Sequence, residues 1–131
     1  MNDRYFICAE DVTPYSPANH SGTVNRRLVG PANGSKQLEV ILGVIQKDQG
    51  AVEHLHPGME QVCYMLEGES LVEIGGQKKR LTAGDCCFFP ADTPHTFTAI
   101  SSTPVKLLVI YSPPYGEDPL KVVTTKKTED G

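Results

Sequence analysis

Between residues 38 and 111 short β-rich segments alternate with glycine and proline turns, one strand arriving about every eight to twelve residues. Residues 38–45 are β-branched and apolar with no helical period, which predicts a buried strand. A turn over 47–50 leads into 51–56, and Pro57-Gly58 ends that segment because proline cannot donate to a strand ladder. Residues 61–66, 70–74, 77–81, 86–89, 95–100 and 105–111 read as further strands, with turns at Glu67-Gly68-Glu69, Gly75-Gly76, Ala83-Gly84-Asp85 and 90–94. The Gly75-Gly76 pair predicts a two-residue hairpin. A series of this kind predicts an all-β sandwich or barrel, and 131 residues suit one domain. Residues 1–37, with short apolar pieces at 5–8 and 28–29, read as edge strands and loops of that domain, 38–111 as the barrel, and 112–131 as a C-terminal tail. The tail is expected to pack on a partner subunit or to stay mobile, its charged end above all.

Charge and composition exclude several classes. A net charge of -4 with scattered lysines and arginines offers no basic stripe, so nucleic acid is not an expected partner, and no attached DNA-binding domain is expected in a chain of 131 residues. The start has neither a long apolar run nor a small-residue cleavage site, and no segment has membrane-spanning length. A cytoplasmic protein without membrane partners is expected. Its four cysteines then read as reduced packing thiols. Cys86 and Cys87 are neighbours on a strand and point to opposite faces, so a bond between them would be strained.

Three of the four histidines stand where strands can gather them. His54 and His56 are two apart on one strand, share a face, and have Cα atoms about 7 Å apart, so both imidazoles can reach one ion. The loop 57–60 is expected to fold the chain back as a hairpin, which brings Gln61 to the same ion. His95 follows the Asp92-Thr93-Pro94 turn and reaches the site from a later strand. Three imidazoles and one oxygen suit a divalent Fe, Mn, Ni or Zn rather than Ca.

The spacing Gly50-x3-His54-x-His56-x4-Gln61-x6-Gly68, followed by Gly84-x5-Pro90-x-Asp92-x2-His95, resembles the two motifs of the cupin superfamily in order and in internal distance. The resemblance covers about residues 38–111. It implies a jelly-roll barrel, the double-stranded β-helix, with one metal ion inside, held by His54, His56, Gln61 and His95. Three positions depart from the family pattern. Gln61 stands where a glutamate is usual, with Glu60 one residue early; Asp92 replaces a glycine; and Ala99 replaces a closing asparagine. Alternation along the strand sends Glu60 and Gln61 to opposite faces, and the family spacing, four residues after His56 and six before Gly68, implies Gln61 as the fourth ligand. Family members commonly pair through their early strands, so a homodimer is expected.

Neutral ligands would leave the ion its full positive charge and favour a small anionic molecule. Parity assigns Cys63 and Met65 to the face of Gln61, and Phe97 and Ala99 to that of His95. These make a mostly apolar pocket, with Phe97 lining the cavity and the others doubling as core. Of the adjacent Arg26 and Arg27 on an edge strand, one can point inward and grip a carboxylate bidentately; Arg26 is placed with the pocket, although solvated surface is the usual fate of such a pair. Tyr64, Tyr111 and Lys106 are polar groups without a positional argument. The expected activity is that of a metal-dependent isomerase or lyase on a small carboxylated or polyhydroxylated molecule, because small cupins with glutamine here resemble sugar-acid-processing and ring-isomerising members. An O2-dependent dioxygenase or oxidase, or a binding module without turnover, are the alternatives.

Overall fold

The computed structural model describes residues 5–17 and 20–125. Among these, ten strands form: β1 Thr23–Val29, β2 Glu39–Ile45, β3 Gly50–Leu55, β4 Glu60–Glu67, β5 Glu69–Ile74, β6 Gln77–Thr82, β7 Cys86–Phe89, β8 His95–Ala99, β9 Val105–Ser112 and β10 Val123–Thr124. One sheet has the order β1-β2-β9-β4-β7 and the other β10-β3-β8-β5-β6. Their pairings are antiparallel, and the inner faces enclose the core of a jelly-roll barrel. Ile41, Met65, Phe89 and Val105 are fully buried there. Each such side chain contributes about 2 kcal/mol of transfer free energy.

Strand alternation explains which side chains reach that core. On β2 the pattern is strict, with Glu39, Ile41, Gly43 and Ile45 inward and Val40, Leu42 and Val44 half-buried on the outer face. The Gly75-Gly76 hairpin forms as the sequence predicts: Ile74 pairs with Gln77, and both glycines have positive φ, 55° and 84°, as this turn requires. Gly50 serves a different need, since a Cβ there would sit 2.0 Å from the Phe97 carbonyl oxygen. Only glycine lets β3 begin against β8.

Three expectations are corrected. The loop after His56 does not make a hairpin: β3 pairs with β8 and β10, whereas β4 pairs with β9 and β7 in the other sheet. Proline at 57 and Gly58 at φ 67° turn the chain across the barrel rather than back along it. Residues 5–8 form no strand, and the head's strand is Thr23–Val29. The C-terminal segment, up to residue 125, packs on its own barrel. Val123 and Thr124 pair with Leu55 and His54, and Tyr115 is buried. The charged end of the tail, 126–131, lies outside the described residues.

A buried carboxylate fastens this segment. Glu39 is 0% exposed; one of its oxygens accepts from the backbone N–H groups of Tyr115 and Gly116 at 2.9 and 3.0 Å, and the other pairs with the Arg27 guanidinium. Arg27 in turn donates to the Tyr15 hydroxyl at 3.2 Å and lies over its ring. Ionised donors and acceptors arranged in this way make the stronger class of hydrogen bond.

Candidate metal centre

β3 and β8 are neighbours in one sheet, and their register opposes His54 directly to His95. His56 follows at the end of β3 on the same face. The rings of His54 and His95 are 4.5 Å apart, those of His54 and His56 4.9 Å, and those of His56 and His95 5.6 Å. One nitrogen from each of the three buried imidazoles lies within 4.8 Å of the others, a grouping that can hold a metal ion.

Backbone carbonyls orient all three rings. Nδ1 lies 2.7 Å from Val52 O in His54, 2.9 Å from Lys121 O in His56, and 2.9 Å from Thr93 O in His95. A carbonyl oxygen only accepts, so Nδ1 carries the proton and the Nε2 lone pair is left for another partner. Histidines that ligate metals are held by this kind of outer contact. Burial pushes the imidazoles down, His54 to about 4 and His95 to about 3, and His56 in the same direction. At neutral pH the trio is uncharged, as a ligand set must be.

Asp92 ties the two motif loops together. Its Oδ1 accepts from Gly58 N at 3.1 Å and its own N–H donates to His56 O at 3.2 Å, with φ at 63°. An aspartate in place of glycine keeps the left-handed turn and adds a bridge.

On the opposite sheet Gln61 is buried and faces the cavity that His54 and His95 line, while Glu60 is exposed on the outer face. The Gln61 Nε2 group donates to Cys63 Sγ at 3.6 Å, which leaves Oε1 with nothing to accept from. Among the described residues, the buried polar side-chain atoms without a hydrogen-bond partner are Ser70 Oγ, His56 Nε2, His95 Nε2 and Gln61 Oε1. Such orphans are costly in a folded chain, and three of them belong to this one constellation. A divalent ion that accepts these lone pairs fits the residues present.

The cavity measures about 50 Å³, room for an ion and a few waters at roughly 10–15 Å³ each. Phe89, Phe97, Leu107 and Val109 contribute apolar lining and His20, Thr23, Asn25 and Tyr111 polar lining; among the described residues no acidic or basic side chain other than histidine lines it. Of the residues expected in the pocket, Cys63 and Phe97 line it. Met65 shares their inward face but is absent from the cavity wall and fully buried in the core, because it lies about 13 Å along β4 from Gln61. Arg26 does not line it either. Thr23 and Asn25 face the cavity, so alternation turns Arg26 outward, where its Nε donates to Val12 O at 3.2 Å; the inward arginine is Arg27, spent on Glu39.

A family model of the cupin domain matches residues 41–111. The chain is a cupin. The protein MJ1618 of Methanocaldococcus jannaschii is 30% identical to this cupin over 118 residues, 87% of the chain and 90% of MJ1618. Among solved structures, the polyketide cyclase RemF from Streptomyces resistomycificus superposes with a TM-score of 0.78 at 19% identity, covering 95% of this cupin and 87% of RemF. A sugar phosphate isomerase of the cupin superfamily from Silicibacter pomeroyi gives a TM-score of 0.70 at 23% identity over 82% of this chain and 74% of its own. At these identities the two likenesses show the fold.

The site also includes groups that the strand pattern did not point to. His20 lies in a head rich in Pro, Asn and Ser, yet bridges to Ala51 and brings its ring within 5.7 Å of His54. Tyr111 and Tyr115 lie 5.4 and 4.8 Å from the His56 ring, and burial holds the Tyr115 phenol up at about 12 and that of Tyr111 well above its usual value. No local periodicity marks His20, Tyr115 or Lys121, since each arrives from an irregular segment. Among the described residues, no helix is long and apolar enough to cross a membrane.

Proposed function

We propose that this cupin is a metal-dependent enzyme of isomerase or lyase type, acting on a small carboxylated or polyhydroxylated molecule at an ion held by His54, His56, His95 and Gln61. The observation that carries the reading is the grouping of unpartnered buried lone pairs: His95 Nε2 and Gln61 Oε1 belong to side chains that line one cavity, and His56 Nε2 belongs to the histidine trio whose nitrogens lie within 4.8 Å of one another. With neutral ligands the ion supplies an undiminished positive charge, which stabilises carboxylate or enolate character. Among the described residues, no acidic side chain lines the cavity to compete with an anionic ligand. Space for only a few waters suits the head of a small molecule, with Phe97 and Phe89 in its apolar lining. Tyr111, kept protonated by burial, acts at neutral pH as a hydrogen-bond donor to a ligand oxygen rather than as a base. The names of RemF, a cyclase, and of the sugar phosphate isomerase agree with non-oxidative chemistry.

Metal analysis of the purified protein, followed by thermal shift with hydroxy- and keto-carboxylates and matched neutral sugars, tests this reading. A stoichiometric divalent ion is expected, together with carboxylate-dependent stabilisation that appears in the loaded protein and disappears on chelation. Failure of any divalent ion to bind, or equal stabilisation of stripped and loaded protein, would remove the basis of the proposal.

A further inference from the structure

Cys63 touches the ion site on one side and another thiol on the other. In the β4–β7 pairing Cys63 opposes Cys87. Opposed residues of an antiparallel pair point to the same face with Cα atoms about 4.5–5.5 Å apart, inside the roughly 4.4–6.8 Å that a disulfide spans. Each thiol perturbs the other, Cys63 being pushed up and Cys87 down by their proximity. Cys86, next in sequence, opposes Tyr64 on the outer face and is exposed, as is Cys8 in the head.

The two sulfurs open onto different spaces. Cys63 is 2% exposed and lines the metal cavity. Cys87 is half-buried and lines a separate groove of about 460 Å³ between the edge strands β6 and β7, with Lys78 and Lys79 among its walls. A small oxidant therefore reaches Cys87 from solvent without entering the metal cavity.

We propose that Cys63 and Cys87 form a reversible oxidation site, closing into a cross-strand disulfide when a peroxide enters the β6–β7 groove. The Cys87 sulfur attacks one peroxide oxygen, the O–O bond breaks, and hydroxide leaves to take up the thiol proton as water. Cys63 sulfur then displaces the hydroxyl from the sulfenic acid, its own proton departing with it as a second water. Two thiols and one hydrogen peroxide thus give one disulfide and two waters; each sulfur loses one electron and the peroxide gains two. Cys87 is the sulfur that lines the groove, and its proximity to Cys63 holds its thiol below the ordinary value, which favours Cys87 as the attacking sulfur. Closure also turns Cys63 Sγ away from the Gln61 amide that donates to it. The fourth ligand then loses its tether, a consequence that rests on the ligand set proposed above, whereas the disulfide does not.

Purified full-length protein treated with a modest excess of hydrogen peroxide should lose the mass of two hydrogen atoms. Non-reducing peptide mapping should join the Cys63 and Cys87 peptides, and thiol reductant should reverse the change. Cys86→Ser should behave as wild type, and Cys87→Ser, a change at a half-buried position, should abolish the bond. A linkage through Cys8 or Cys86, or Cys87 over-oxidised beside a Cys63 that remains a free thiol, would overturn the pairing. Competition with a chromophoric chelator should show metal held about 2- to 10-fold more weakly in the oxidised form. Equal affinity in the two forms would overturn the link to Gln61.

Discussion

Acidifying the metal-free protein tests the central feature of the site, a trio of histidines held neutral by burial. His54 falls from 6.5 to about 4 and His95 to about 3, with desolvation the leading cause in both. Between the unfolded and folded values the unfolded chain binds the proton and the folded one does not, so stability rises with pH there. It is fully present above about 6.5 and is lost as the pH falls toward the folded values. At about 1.4 kcal/mol per pKa unit, His54 alone accounts for about 3 kcal/mol across its window. His95 does not simply add to this, because the charge of either ring opposes protonation of the other. Urea unfolding in chelator, followed by far-ultraviolet circular dichroism because the chain has no tryptophan, should therefore show a loss of about 3–5 kcal/mol between pH 7 and pH 4.5. His54→Gln should flatten much of that slope, and saturating Zn should steepen it because protons compete with metal for the same Nε2 atoms. A wild-type profile flat over this range, or one unchanged by His54→Gln, would refute the assignment of neutral buried imidazoles.

Three further outcomes follow from named contacts. Gln61→Ala should weaken metal binding by about tenfold or more while Glu60→Ala leaves it near wild type, measured by titration calorimetry on apo protein; the reverse order would put the ligand on the wrong residue and restore a negative charge to the site. Replacing Glu39 by Ala should cost about 3 kcal/mol, since it strands Arg27 and two backbone N–H groups, and hydrogen exchange should rise first at Tyr115 and Gly116; unchanged protection there would contradict the fastening role. We propose that a second copy covers the outer face of the first sheet, where Val24, Leu42, Val44 and Ile110 are apolar and self-complementary pairing would cover both copies at once; light scattering should give twice the chain mass, and a monomer at micromolar concentration would refute it.

The strands from β2 to β9 were legible because each alternates or ends on a residue with one physical meaning. Pro57 ends β3, the Gly75-Gly76 pair turns β5 into β6, and Asp92 accepts a left-handed φ. The inward faces followed from the same parity, which separates Glu60 from Gln61 and Cys86 from Cys87. Parity fixes a face and nothing more. It could not say that Met65 lies too far along β4 to line the cavity, nor which sheet β4 would join after the loop. Arg26 and Arg27 show the same limit in another form, since choosing between them requires the register of β1, which only its pairing with β2 supplies.

What escaped the sequence altogether is carried by backbone groups. Lys121 contributes its carbonyl to His56, and the residue type there is irrelevant to that bond. Glu39 holds the N–H groups of Tyr115 and Gly116, seventy-six and seventy-seven positions away in the chain. These contacts belong to one device: the carboxylate on β2 fixes the start of the C-terminal segment, Tyr115 then lies against the His56 ring, and the segment's later carbonyl sets that ring's tautomer. The proposed ion site is therefore completed by residues beyond both histidine motifs. A chain ending at Tyr111 would retain all four proposed ligands, yet it would leave His56 Nδ1 without its acceptor and the ring free to present either nitrogen.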